Sequence, residues 1–212
     1  MKALIVAAGD PPSEEVFLKN LRKCDLSIAA DNGLGVYYKY NKTPDVIIGD
    51  FDSAEYGGKD DLDGYKSLII KLPVEKNITD TEAAVDYALK NGTGEIILLG
   101  ATGKRIDHLI ANLMLLRGSL NKNIKLIIED DEHEIYAANG KCIVEGFRGQ
   151  TISLFPLDEA ARVNAISGLY YPLDNLLLKN THSRGISNLL TEEMAVVETN
   201  KPLLVVKIKK KI

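Results

Sequence analysis

The chain has two cysteines, no tryptophan, 6% aromatic residues and no surplus of positive charge. Cys24 and Cys142 lie far apart with no metal-ligand spacing, which excludes a disulfide scaffold and a zinc cluster and points to free thiols in a reducing compartment. A formal charge of −4 argues against nucleic acid as the main partner. No apolar run reaches the roughly 20 residues of a membrane-spanning helix. The apolar N-terminal stretch Ala3–Ala8 is too short for a secretory signal and runs directly into Gly9-Asp10-Pro11-Pro12. The expected location is cytoplasmic, away from membranes. The remaining composition, 45% hydrophobic and 26% charged over 212 residues, suits one large or two small globular domains.

Strand and helix patterns alternate over residues 1–130. Leu4–Ala8, Leu26–Ala30, Val46–Asp50, Leu68–Ile70, Glu95–Leu99 and Lys125–Ile128 read as buried strands. Between them, Ser13 and Thr79 are N-cap candidates, and Thr79 with Glu82 has capping-box spacing. Gly57–Gly64 reads as a polar loop. This pattern predicts an α/β domain, a mostly parallel sheet with helices on both faces. From residue 131 to 212 short strands follow one another with turn signals, as in an all-β sandwich. The basic Lys207–Lys211 end reads as solvation of an edge strand.

The candidate chemistry collects where strands end. Val46-Ile47-Ile48-Gly49 closes on Asp50-Phe51-Asp52-Ser53, and residues i and i+2 of extended chain share a side. Two carboxylates that close together share a proton, bind a cation or diverge into solvent. Asp31 follows the second strand, and Asp80 opens a helix. Gly100-Ala101-Thr102-Gly103-Lys104-Arg105-Ile106-Asp107-His108 leads from a strand into a helix, where backbone amides favour anions. Each piece alone has an ordinary reading as turn, cap or solvated charge. Together, acids for a magnesium ion beside cations for phosphates is the arrangement phosphoryl transfer needs. Two other nucleotide motifs are excluded. A P-loop would need Gly at Leu98 and Ser or Thr at Arg105, and no G-x-G-x-x-G follows either of the first two strands.

These residues, in this order, resemble the thiamin pyrophosphokinases. The resemblance rests on Ala30-Asp31-Asn32-Gly33, Gly49–Ser53, Thr79-Asp80, Gly100–His108 with Asn112, Ser153-Leu154-Phe155-Pro156, Gly168–Leu173 and Gly185-Ile186-Ser187-Asn188. It implies an N-terminal ATP-binding domain, a C-terminal thiamin-binding β-sandwich, and a homodimer with each active site between two subunits. The implied reaction is ATP plus thiamin giving AMP plus thiamin diphosphate, with Mg²⁺. Carried over by position, Asp50, Asp52 and Asp80 would surround the metal and triphosphate. Arg105 would join them in catalysis, while Asp31, Thr79, Arg105, Asp107 and His108 would contact ATP. Ser187 and Asn188 would contact thiamin from the partner subunit. Asn77 and Lys104 depart from the family's usual Asp and Gly, and without Trp any stacking on the substrate falls to Tyr or Phe.

Three alternatives compete. A pyrophosphokinase for another alcohol, such as a hydroxymethylpterin, could share the phosphate-side motifs. A haloacid-dehalogenase-type phosphatase would use Asp50 as nucleophile with Asp130-Asp131, but Ala54 stands where that motif wants Thr or Val, and Gly100–His108 would have no task. A cation-dependent binding module would bind a ligand without consuming ATP.

Overall fold

A computed structural model of the chain describes residues 1–50 and 66–209. It forms two compact units, Met1–Leu115 with Asn123–Asp131, and Leu116–Lys122 with Glu132–Ile212.

Among the described residues the first unit holds six strands, β1 (Lys2–Val6), β2 (Leu26–Ala30), β3 (Val46–Gly49), β4 (Leu68–Lys71), β5 (Glu95–Leu99) and β6 (Lys125–Glu129). They are all parallel, in the order β6-β5-β1-β2-β3-β4. Leu4, Ile5 and Val6 are each fully buried, and successive strand residues face opposite ways, so both faces of β1 are covered. The covering elements include α1 (Glu14–Leu21), α2 (Leu34–Lys39), α3 (Asp80–Lys90) and the start of α4 (Ile106–Asn121). Ser13 caps α1, accepting from the Val16 amide, and Thr79 caps α3, accepting from the Glu82 amide at 3.1 Å. Phe17 of α1 meets the buried Tyr37 ring edge-on at 5.0 Å.

One expectation for this unit needs correction. Leu68–Ile70, read as a buried strand, is an edge strand among the described residues, with Leu68 54% and Ile69 37% exposed, because β4 ends the sheet order there. Asp31-Asn32-Gly33 forms a 3₁₀ turn entered through Asp31 at φ +50°, a backbone region Asp tolerates better than most residues. The Gly57–Gly64 loop lies outside the described residues.

The second unit is built of strands β7 (His133–Glu145), β8 (Thr151–Pro156), β9 (Ala160–Ser167), β10 (Leu176–Lys179), β11 (Asn188–Leu189) and β12 (Met194–Ile208). Apolar runs that read as separate short strands fuse here. Ile135–Ala137 and Cys142–Val144 are one strand running through Gly140, and Ala195–Val197 and Leu203–Ile208 are one strand with an irregularity between Thr199 and Leu203. That irregularity lets β12 serve two sets of partners. Its first half pairs with β9 and its second with β8, while β7 follows it throughout. Val144, Leu154, Val163, Leu178, Val197 and Val205 fill the core between them. Lys207 therefore belongs to an interior strand, paired on both sides and bonded to Glu134 at 2.8 Å, not to an edge. Among the described residues no helix is long and apolar enough to cross a membrane.

Candidate active site

The first unit's strand order reverses once. From β1 the chain steps outward through β2, β3 and β4, then α3 returns it to β5 on the opposite flank of β1. In open parallel sheets ligands bind at such a reversal, outside the carboxyl ends of the strands. A cavity of about 480 Å³ lies at this place, within the roughly 300–1,000 Å³ of small-molecule sites. Its wall is drawn from the segments that follow β1 (Ala7–Asp10), β2 (Asp31, Asn32) and β5 (Gly100–Arg105), and from the starts of α3 and α4.

Backbone contacts hold the floor together. The Ala7 amide donates to the Leu99 carbonyl at 2.8 Å, Gly9 to Gly100 at 2.7 Å, and Asp10 to Thr102 at 2.7 Å. This zipper leaves no room for side chains: a Cβ on Gly9 would collide with the Thr102 carbonyl, and one on Gly100 with the Ala7 carbonyl. Asn112, buried on α4, donates to the Ala101 carbonyl at 2.9 Å and ties the helix to the loop.

Asp31, Thr79, Asp80, Arg105 and His108 all line the cavity. Asp50 joins the group through a residue that sequence reasoning did not single out, Lys76. Its ammonium lies 2.8 Å from Asp50 and 3.2 Å from Asp80, and the three side chains are only 13%, 14% and 21% exposed for Lys76, Asp50 and Asp80. Burial works against the ammonium, but hydrogen bonds to Asp50 and Asp80 outweigh it and hold the Lys76 pKa above its usual value. One lysine in a polar segment carries no sequence signal beyond its position four residues before Asp80. Asp52 lies outside the described residues. Among the described residues no group of three or more His, Cys, Asp or Glu side chains is placed to hold a metal.

Arg105 and Asp107 form a bidentate pair at 2.9 and 2.6 Å, largely exposed. The guanidinium hydrogen bond holds the Asp107 carboxyl well below the usual carboxylate range. Asp107 is not among the described residues of the cavity wall; its carboxylate is turned to Arg105. The phosphatase alternative finds no support here, since Asp131 accepts from the Ser13 amide at 3.0 Å at the entry to α1.

Ser187 and Asn188 belong to the second unit. Ser187 sits at φ +57° and its amide donates to the Ser153 hydroxyl at 3.0 Å. Asn188 is buried, and its carboxamide accepts from the Tyr171 amide at 2.9 Å and donates to the Tyr171 carbonyl at 2.8 Å. It thereby anchors the exposed Tyr170-Tyr171 pair, whose rings meet edge-on at 5.0 Å.

Known proteins resemble this chain along nearly its whole length. The family described as "Thiamin pyrophosphokinase, catalytic domain" matches residues 17–128, and "Thiamin pyrophosphokinase, vitamin B1 binding domain" matches residues 132–204. A thiamine pyrophosphokinase of Bacillus subtilis is 26% identical over 208 residues, 97% of each chain. A solved thiamin pyrophosphokinase family protein from Enterococcus faecalis superposes with a TM-score of 0.84 at 25% identity, covering all of both chains. A thiamin pyrophosphokinase from Candida albicans shares the fold with a TM-score of 0.85 at 17% identity, over 99% of this chain and 89% of that one.

Proposed function

The chain belongs to the thiamin pyrophosphokinase family, and from that premise we propose that it transfers the pyrophosphoryl group of ATP to the hydroxyl of thiamin, releasing thiamin diphosphate and AMP. The observation that carries this reading is the cavity at the strand-order reversal, whose lining combines a glycine backbone floor with Asp31 and Asp80 and with Lys104 and Arg105. That combination suits a polyphosphate: amides and cations for its oxygens, carboxylates for its counter-ion.

Asp50 and Asp80 fit a magnesium ion. They are hard oxygen donors from two different elements, already converging on one cationic position, the Lys76 ammonium. These two residues, with Asp52, would hold the ion, which when bound neutralises charge on the phosphate oxygens. The chain's own groups do the positioning. Arg105 offers a planar fork to the phosphates once it parts from Asp107, and the N-terminal end of α4 adds the favourable end of a helix dipole. Thr79, as the cap of α3, fixes Asp80 at the helix start, while Asp31, Asp107 and His108 complete the nucleotide side. The thiamin hydroxyl then attacks the β-phosphorus in line with the departing AMP oxygen. Ser187 and Asn188 of the partner subunit would shape the thiamin side, making the working form a cytoplasmic homodimer with residues 1–130 for ATP and 131–212 for thiamin.

The test is direct. Incubation with ATP, Mg²⁺ and thiamin should yield AMP and thiamin diphosphate in equal amounts, and light scattering should report a dimer. Accumulation of ADP, or AMP release indifferent to thiamin, would overturn the assignment.

A further inference from the structure

Lys76 reaches three acceptors from one ammonium: Asp50 at 2.8 Å, Asp80 at 3.2 Å and the Pro73 carbonyl at 3.4 Å. An ammonium has three protons to donate, so this set occupies it fully. The two carboxylates come from different elements, the end of β3 and the first turn of α3. Without a positive charge between them they would repel across a largely shielded space. A divalent ion would need the same oxygens, so it competes with the lysine for one place.

We propose that Lys76 is a resident counter-ion that keeps Asp50 and Asp80 assembled and bars free divalent cations from them, so that the metal enters with the nucleotide and not ahead of it. Only the metal–nucleotide complex brings both a cation to take over the carboxylates and phosphate oxygens to receive the displaced ammonium. This rests on the reading of Asp50 and Asp80 as the cation-holding acids.

The experiment titrates Mn²⁺, an oxygen-seeking stand-in for Mg²⁺, into the full-length protein without nucleotide, reading free Mn²⁺ by electron paramagnetic resonance. Wild type and Lys76→Arg should bind weakly. Lys76→Met should bind at least about tenfold more tightly, because a competing unit charge within contact distance has gone. Its melting temperature in EDTA should also fall below that of wild type and recover with Mn²⁺. Should Lys76→Met fold poorly, Lys76→Gln provides the same uncharged comparison. Mn²⁺ affinity unchanged by Lys76→Met or Lys76→Gln, yet reduced when Asp80→Asn is added, would overturn the counter-ion proposal and leave the acid site standing. Affinity raised by Lys76→Met but indifferent to Asp80→Asn would overturn both.

Discussion

Substituting alanine for Gly100 puts the construction of the cavity floor to a quantitative test. Gly100 sits at φ +63°, where an L side chain costs about 1–2 kcal/mol. The new Cβ would also lie on the Ala7 carbonyl oxygen, closer than real Cβ atoms approach. Relief requires the segments after β1 and β5 to separate, which weakens the bonds from Ala7 to Leu99 and from Gly9 to Gly100. At about 1 kcal/mol for each bond, the total loss is about 3–4 kcal/mol. Urea unfolding followed by circular dichroism should show the midpoint falling by about 1–2 M. Calorimetric titration with Mg-ATP should show weakened binding, since the displaced carbonyls line the cavity. Gly118→Ala is the matched control: this glycine lies within α4, an added Cβ meets nothing within 4 Å, and the helix should gain about 0.5–1 kcal/mol. A Gly100→Ala protein within about 1 kcal/mol of wild type, with ATP affinity intact, would refute the reasoning.

Asp50→Asn, Asp52→Asn and Asp80→Asn should each lower turnover by about 100-fold or more while the far-ultraviolet spectrum is unchanged; wild-type-like rates in any of them would remove that residue from the site. Arg105→Lys, which keeps the charge but loses the fork, should lower kcat/KM by about 10- to 100-fold, measured by AMP release. Asn188→Ala should destabilise the protein by about 2–3 kcal/mol in urea unfolding, since the buried Tyr171 amide and carbonyl both lose a partner, and should raise the KM for thiamin as the Tyr170-Tyr171 segment loosens. Burial, assisted at Cys24 by the charge of Asp45, raises the pKa of both Cys24 and Cys142. The neutral thiol is therefore favoured in the folded state. The resulting contribution to stability is present below the unfolded thiol value of about 8.5 and is lost as pH rises through the folded value. Alkylation near that pH should be slow in the native protein and rapid in urea, and equal rates would contradict the burial argument.

The first unit was legible because its signals are local. Ser13 and Thr79 announce their helices by side-chain chemistry that acts within three residues, and β2 and β5 coincide with their apolar runs. The second unit was blurred by partnership. Whether Ile135–Ala137 and Cys142–Val144 form two strands or one depends on β12 lying alongside both, a fact carried by residues some 60 positions away in the chain. Edge status misled in both directions for the same reason: Leu68–Ile70 has an interior composition at an edge, and Lys207 has an edge composition in the interior.

Two of the cavity-lining acids, Asp31 and Asp80, could be listed from sequence because each stands at the end of an apolar strand or at a helix start; Asp10, four residues past β1, carries no such signal. That they share a wall is a consequence of topology. Had α3 returned the chain beyond β4 and not to the far flank of β1, Gly100–Arg105 would open several strand spacings from Asp31, and its cations would face no carboxylates. The reversal between β1 and β5 also explains why the floor is glycine-rich. Two loops leaving adjacent parallel strands in the same direction must run side by side before diverging into their helices, and chain without side chains packs most closely there, as Gly9 does against the Thr102 and Gly100 carbonyls and Gly100 against the Ala7 carbonyl. The glycine cradle is thus a by-product of the strand order, and under the proposed function the acids and cations around it are what suit it to a phosphate chain.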